Sequence, residues 1–131
     1  MIQSAELRIW LTAPESARPR SPVSFAIQVE NVGQEILELY LRGRDIAYDI
    51  LVKDATGQVV WRRLEGEVIP GVIQLRVLEP GEAFELSHEW NQRTNAGAFV
   101  EPGQYIVEGL VLTDGPIPFA SVPKRIEIVP P

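Results

Sequence analysis

Tyr48-Asp49-Ile50-Leu51-Val52-Lys53-Asp54-Ala55-Thr56-Gly57-Gln58-Val59-Val60-Trp61 decides the fold class. Tyr48 to Val52 alternates as a half-buried strand does, Asp54-Ala55-Thr56-Gly57 reverses the chain, and Val59-Val60-Trp61 returns with an aromatic anchor. The stretch predicts a β-hairpin with a defined turn. Asp54 can accept hydrogen bonds from the turn amides, and Gly57 can take the left-handed conformation that closes such a loop into a bulge.

The same punctuation extends in both directions. Ala5, Leu7, Ile9 and Leu11 share one face of a first strand, opposite Glu6, Arg8, Trp10 and Thr12. Ala13 to Pro22 contains three prolines, which withhold ladder donors and predict a stiff crossover between sheets. Val23, Phe25, Ile27 and Val29 form the inner face of the next strand, and Leu37, Leu39 and Leu41 that of the third. Beyond the hairpin, Leu64 to Gly71 is a loop, and Ile73, Leu75 and Val77 are expected to face inward. Phe84, Leu86, His88 and Trp90 share one face of the strand opened by Pro80-Gly81. The run from Tyr105 to Leu112 is apolar on both faces, as in a central strand, and Lys124 to Val129 closes the sheet with Ile126 and Ile128 inward. No stretch of ten residues sustains a helical period. Eight or nine short strands at this spacing predict an all-β, immunoglobulin-like sandwich of two packed, mainly antiparallel sheets of Greek-key type, one domain over residues 1–131. Tyr105, just after Pro102-Gly103, fits the tyrosine corner of such sandwiches, and Trp61 and Trp90 read as plugs at the ends of the core.

Composition narrows the function. The 131 residues are 45% apolar, sufficient for a single sandwich core, and the formal charge of −6 disfavours nucleic acid and anionic membranes. Without cysteine there is neither a disulfide framework nor thiolate chemistry, and a cytosolic setting is expected. The start, Met1 to Arg8, lacks the layout of a signal peptide, and no apolar run is long enough to span a membrane.

Catalytic groups are sparse. His88 is the single histidine and shares its face with Phe84, Leu86 and Trp90, so a hydrogen-bonded structural role at the sheet margin is expected. Asp45, Asp49 and Asp54 lack the spacing of a calcium loop, and neither a phosphate loop nor a nucleophile elbow occurs. The expected activity is binding, not catalysis. Trp10 falls on the outer face and is the candidate surface contact.

Asn31, Tyr48-Asp49, Gly57, Val60-Trp61, Pro80-Gly81-Glu82, Trp90, Pro102-Gly103 and Tyr105, in this order, resemble the BsuPI-type intracellular proteinase inhibitors. The resemblance covers roughly Ser24 to Leu112; Ala13–Pro22 and Asp114–Val122 match no motif of that family. It implies an immunoglobulin-like fold, no cofactor, and a cytoplasmic protein that blocks a subtilisin-like serine protease of the same cell. Such inhibition needs an extended loop whose order is supplied in advance by the scaffold. Leu64 to Gly71 offers Val68, Ile69 and Pro70; Gly115 to Ala120 offers Ile117, Pro118 and Phe119; Asn91 to Phe99 is the most flexible in composition. Two other functions fit the residues: a structural or accessory interaction module using a sheet edge or the Trp10 face, and a carbohydrate-binding sandwich, for which only Trp10 and Tyr40 point outward.

Overall fold

The computed structural model describes residues 6–131, so Ala5, expected on the first inner face, lies outside the described residues. Among these residues the chain is all-β with no helix. The strands are β1 (Leu7–Thr12), β2 (Ser16–Ala17), β3 (Val23–Asn31), β4 (Leu37–Arg42), β5 (Tyr48–Lys53), β6 (Val59–Arg62), β7 (Ile73–Leu78), β8 (Ala83–Trp90), β9 (Gly103–Val111), β10 (Phe119–Ala120) and β11 (Lys124–Ile128).

Three sheets share one core. One has the order β1-β3-β8; a larger one runs β2-β11-β9-β5-β6 with β10 also on β9; β4 and β7 form a two-stranded sheet. All pairs are antiparallel except β2 with β11. The alternation of β3 buries Val23, Phe25, Ile27 and Val29, and these meet Ile50, Val52, Val107, Val111, Ile126 and Ile128 from the larger sheet. Each such side chain contributes roughly 1.5–3 kcal/mol by leaving water. The two layers approach closely at Gly109, where a Cβ would lie 2.6 Å from Cγ1 of Ile27. As expected, β9 is the central strand, between β5 on one side and β11, with the short β10, on the other.

Local sequence explains the connections. Asp54 Oδ1 accepts from the amides of Thr56 at 2.9 Å and Gln58 at 3.1 Å, and Gly57 has φ 88°, closing the bulged hairpin expected of this turn. The proline-rich crossover leaves the first sheet, pairs Ser16–Ala17 alongside Glu127–Ile128, and returns as β3. Tyr105 donates its hydroxyl proton to the Glu101 carbonyl, making the tyrosine corner. Asn91 to Phe99, flexible in composition, is instead tied down. Asn95 exchanges side-chain hydrogen bonds with the Arg62 backbone at 2.8 and 3.0 Å, acting as a strand along the open edge of β6.

The inward face of β7 differs from expectation. Leu78 is buried, whereas Ile73, Leu75 and Val77 are exposed. Pairing with β4 sets this face: Leu37, Leu39 and Leu41 oppose Leu78, Arg76 and Gln74, and a period of two then turns the other three residues outward. Two distant side chains hold the register. Buried Asn31 donates Nδ2–H to the Leu78 carbonyl at 2.9 Å, and Gln74 Nε2 donates to the carbonyls of Gly43 at 2.7 Å and Arg44 at 2.6 Å.

An aromatic cluster joins the layers. Trp90 stacks on Phe25, tilts against Trp61 and meets Tyr105 edge-on, and its Nε1–H is donated to the Arg93 carbonyl at 2.9 Å. His88 makes no side-chain hydrogen bond among the described residues, contrary to expectation; its ring stacks on Trp61 at 5.7 Å. Burial, followed by the nearby Arg63 charge, lowers its pKa below the ordinary 6.5. The unfolded chain therefore takes up the proton first as pH falls. Stability from this group is complete above the ordinary value and declines as pH drops through it toward the lower folded pKa. Thermal melts should fall between neutral and mildly acidic pH, and His88→Gln should shallow that slope; an unchanged slope would exclude His88 as its source.

Candidate functional site

Both ends of the hairpin β5–β6 open onto loops, and at the Tyr48 end two of them converge. Leu64 from the β6–β7 loop and Pro116 and Pro118 from the β9–β10 loop line one open cavity of about 270 Å³, with Arg42, Asp49 and Arg62. Its floor is an ion pair. Asp49 is buried; its Oδ2 accepts from Arg62 Nη2 at 2.7 Å and Nε at 3.1 Å, while Oδ1 accepts from the amides of Ile50 at 2.9 Å and Leu64 at 3.0 Å. The Leu64 bond fastens the root of the β6–β7 loop to the strand beneath it. Next to it, the Arg63 guanidinium lies 3.6 Å from the centre of the Tyr48 ring and donates to the Tyr48 carbonyl at 2.7 Å. The Tyr48 hydroxyl crosses the core to the Ser87 carbonyl at 2.9 Å.

The second loop is clamped as well. Thr113 Oγ1 donates to the Ile117 carbonyl at 3.0 Å, and the Asp114 amide bonds the Tyr40 carbonyl at 3.1 Å. The two loops thus rise from fixed roots.

A sequence model of the BsuPI family, described as intracellular proteinase inhibitor, matches residues 10–115. The chain belongs to this family. The match reaches further toward the N-terminus than the motifs that suggested it, taking in the proline-rich crossover. It includes the whole β6–β7 loop and ends before Ile117. A comparison with curated proteins finds no match. Among solved structures the chain is similar to part of the alkylpurine DNA glycosylase AlkC of Pseudomonas fluorescens, at 16% identity and TM-score 0.52, over 96% of this chain and 31% of that one. It is also similar to part of the β-glucosidase EmGH1 of Erythrobacter marinus, at 17% identity and TM-score 0.50, over 94% and 15% of the two chains. A CARDB domain from Pyrococcus furiosus aligns at 12% identity and TM-score 0.49, over 94% and 87%. The chain spans less than a third of either enzyme, and at these identities the likeness is of fold alone.

Within this BsuPI-family chain the candidate contacts divide. Val68 is 92% exposed, Pro70 is exposed and Ile69 half-buried, so this loop presents its apolar side chains to solvent. Ile117 is 54% exposed and Pro118 half-buried. Phe119, expected as a contact residue of the Gly115–Ala120 loop, is core: it is 7% exposed and pairs, in β10, with Val111. The proline-rich segment is shorter than the sequence suggests, because the chain re-enters the sheet one residue after Pro118. Trp10 stands on the outer face but is half-covered, with the Arg8 guanidinium 4.7 Å from its ring centre. Asp45, Asp49 and Asp54 do not gather; Asp49 serves Arg62 and two amides, and Asp54 its own turn. Sequence reading missed Arg62 and Arg63, which convert Tyr48-Asp49 from a strand opening into a brace for the loop. The paired basic residues directly after Trp61 were the available signal.

Proposed function

We propose that this chain inhibits a subtilisin-like serine protease in the cytoplasm, acting by binding without chemistry of its own. The contact is the β6–β7 loop through Val68, Ile69 and Pro70, with Ile117 and Pro118 beside it. The observation that carries this reading is the braced root at Leu64 beneath an almost fully exposed Val68. An inhibitor must enter a protease cleft extended and lose little freedom on doing so, and here the Asp49 bond and proline supply the order in advance. Membership of a proteinase-inhibitor family supports the class of partner; the subtilisin-like identity is the resemblance carried one step further.

The test is hydrolysis of a small peptide substrate by a subtilisin-type protease with increasing amounts of the purified chain. Val68→Asp is expected to weaken inhibition about tenfold or more, as loss of an apolar anchor does, with the unfolding midpoint unchanged. Undiminished inhibition by Val68→Asp would remove the loop from the contact. No inhibition by the wild type, with the chain itself digested, would remove the function.

A further inference from the structure

The outward face of the β4–β7 sheet has the composition of a covered surface, yet among the described residues its apolar side chains stay open to solvent. Ile73, Leu75 and Val77 are 41%, 50% and 43% exposed, and Tyr40, 47% exposed, lies directly opposite Leu75. The polar residues of β7, Gln74 and Arg76, point the other way, where Gln74 bonds two carbonyls and Arg76 lies over the Phe84 ring at 4.6 Å. An amphipathic strand has been turned apolar side out, and a cluster of this kind marks an interaction surface.

We infer that this face pairs with the same face of a second copy, the strands of the two copies antiparallel across a two-fold axis. The charges choose this occupant. On β4 the outward positions read Glu38, Tyr40, Arg42, and on β7 their partners are Val77, Leu75 and Ile73. The pattern is acidic at one end, basic at the other and apolar between. A two-fold axis perpendicular to the strands reverses one copy end for end. It sets Glu38 against Arg42 of the second copy twice over, Tyr40 and Leu75 against themselves, and Ile73 against Val77. An axis parallel to the strands would put both charges against apolar side chains. Neither Glu38 nor Arg42 has a side-chain hydrogen bond or ion pair among the described residues, so both are available. Such self-complementarity is what an isologous interface requires. Six side chains make a small patch, below the size of a standard stable interface, so the association is weak and depends on concentration.

Sedimentation equilibrium from low to several hundred micromolar chain tests this. The wild type is expected to shift from monomer toward dimer, with Leu75→Glu raising the dissociation constant at least about tenfold. Glu38→Arg and Arg42→Glu should each weaken the dimer through like charges, and the double exchange should restore it, because each new pair is again opposite in sign. A wild type monomeric throughout the range would overturn the proposal. So would single reversals that leave association unchanged, or a double exchange no better than either single change. If Leu75→Glu leaves the mass unaltered but abolishes protease inhibition, the face belongs to the protease and the dimer is refuted. Glu38 and Leu75 are exposed and Arg42 is half-buried, and an unfolding curve for each variant confirms that the fold is intact.

Discussion

Asp49→Ala is expected to cost about 3 kcal/mol of stability, the lower end of the range for breaking a buried ion pair, because Arg62 is 47% exposed and can turn to water. The larger part of the loss comes from the backbone. Without the carboxylate, the amides of Ile50 and Leu64 lose the acceptor that satisfies them below the surface. Asp49→Asn separates the contributions, since an amide oxygen can still serve both N–H groups while the charge pairing with Arg62 is gone; about 1 kcal/mol is expected for it. Urea unfolding measures both, and a shifted midpoint at constant slope would assign the effect to the native state. Freed at its root, the β6–β7 loop should also inhibit less well even where the chain remains folded. An alanine variant within about 0.5 kcal/mol of wild type would mean that the brace does not hold the loop.

Trp90→Ala is expected to cost about 3–5 kcal/mol, the range for removing a large aromatic side chain from a core. Trp90 is 1% exposed and touches aromatic rings from both layers, so its removal leaves a cavity that neither sheet can close alone. Its indole N–H also secures the Arg93 carbonyl at the start of the loop that covers the β6 edge. Trp90→Phe keeps most of the stacking and gives up that bond, so a smaller loss is expected, together with faster amide exchange at Asn95. Equal losses for phenylalanine and alanine would place the energy in the hydrogen bond and not in the packing.

Much of the architecture was legible because it is local. The hairpin turn needs only Asp54 and Gly57, three positions apart, and the tyrosine corner closes within Glu101–Tyr105. Burial of β3, β9 and β11 followed from strict alternation with one apolar face, or two in the case of β9. The site was partly legible. The exposed Val68 and the loop that carries it were open to reading, since prolines and glycines announce a connection. The brace was not, because Asp49 reaches Arg62 across a hairpin, and the carboxylate gave no sign of preferring an arginine to a turn or a cation.

By itself the sequence determined the all-β class, the positions of the longer strands, the turn chemistry and the family, while the short strands β2 and β10 fell in segments that read as connections. The tertiary structure alone decided which side of β7 meets the core and where Phe119 goes. Period two divides a strand into two sets of residues and is silent on which set is buried. Here the choice fell to the pairing with β4, which sets Leu78, Arg76 and Gln74 on the face of Leu37, Leu39 and Leu41, while hydrogen bonds from Asn31 and Gln74 to distant carbonyls hold that register.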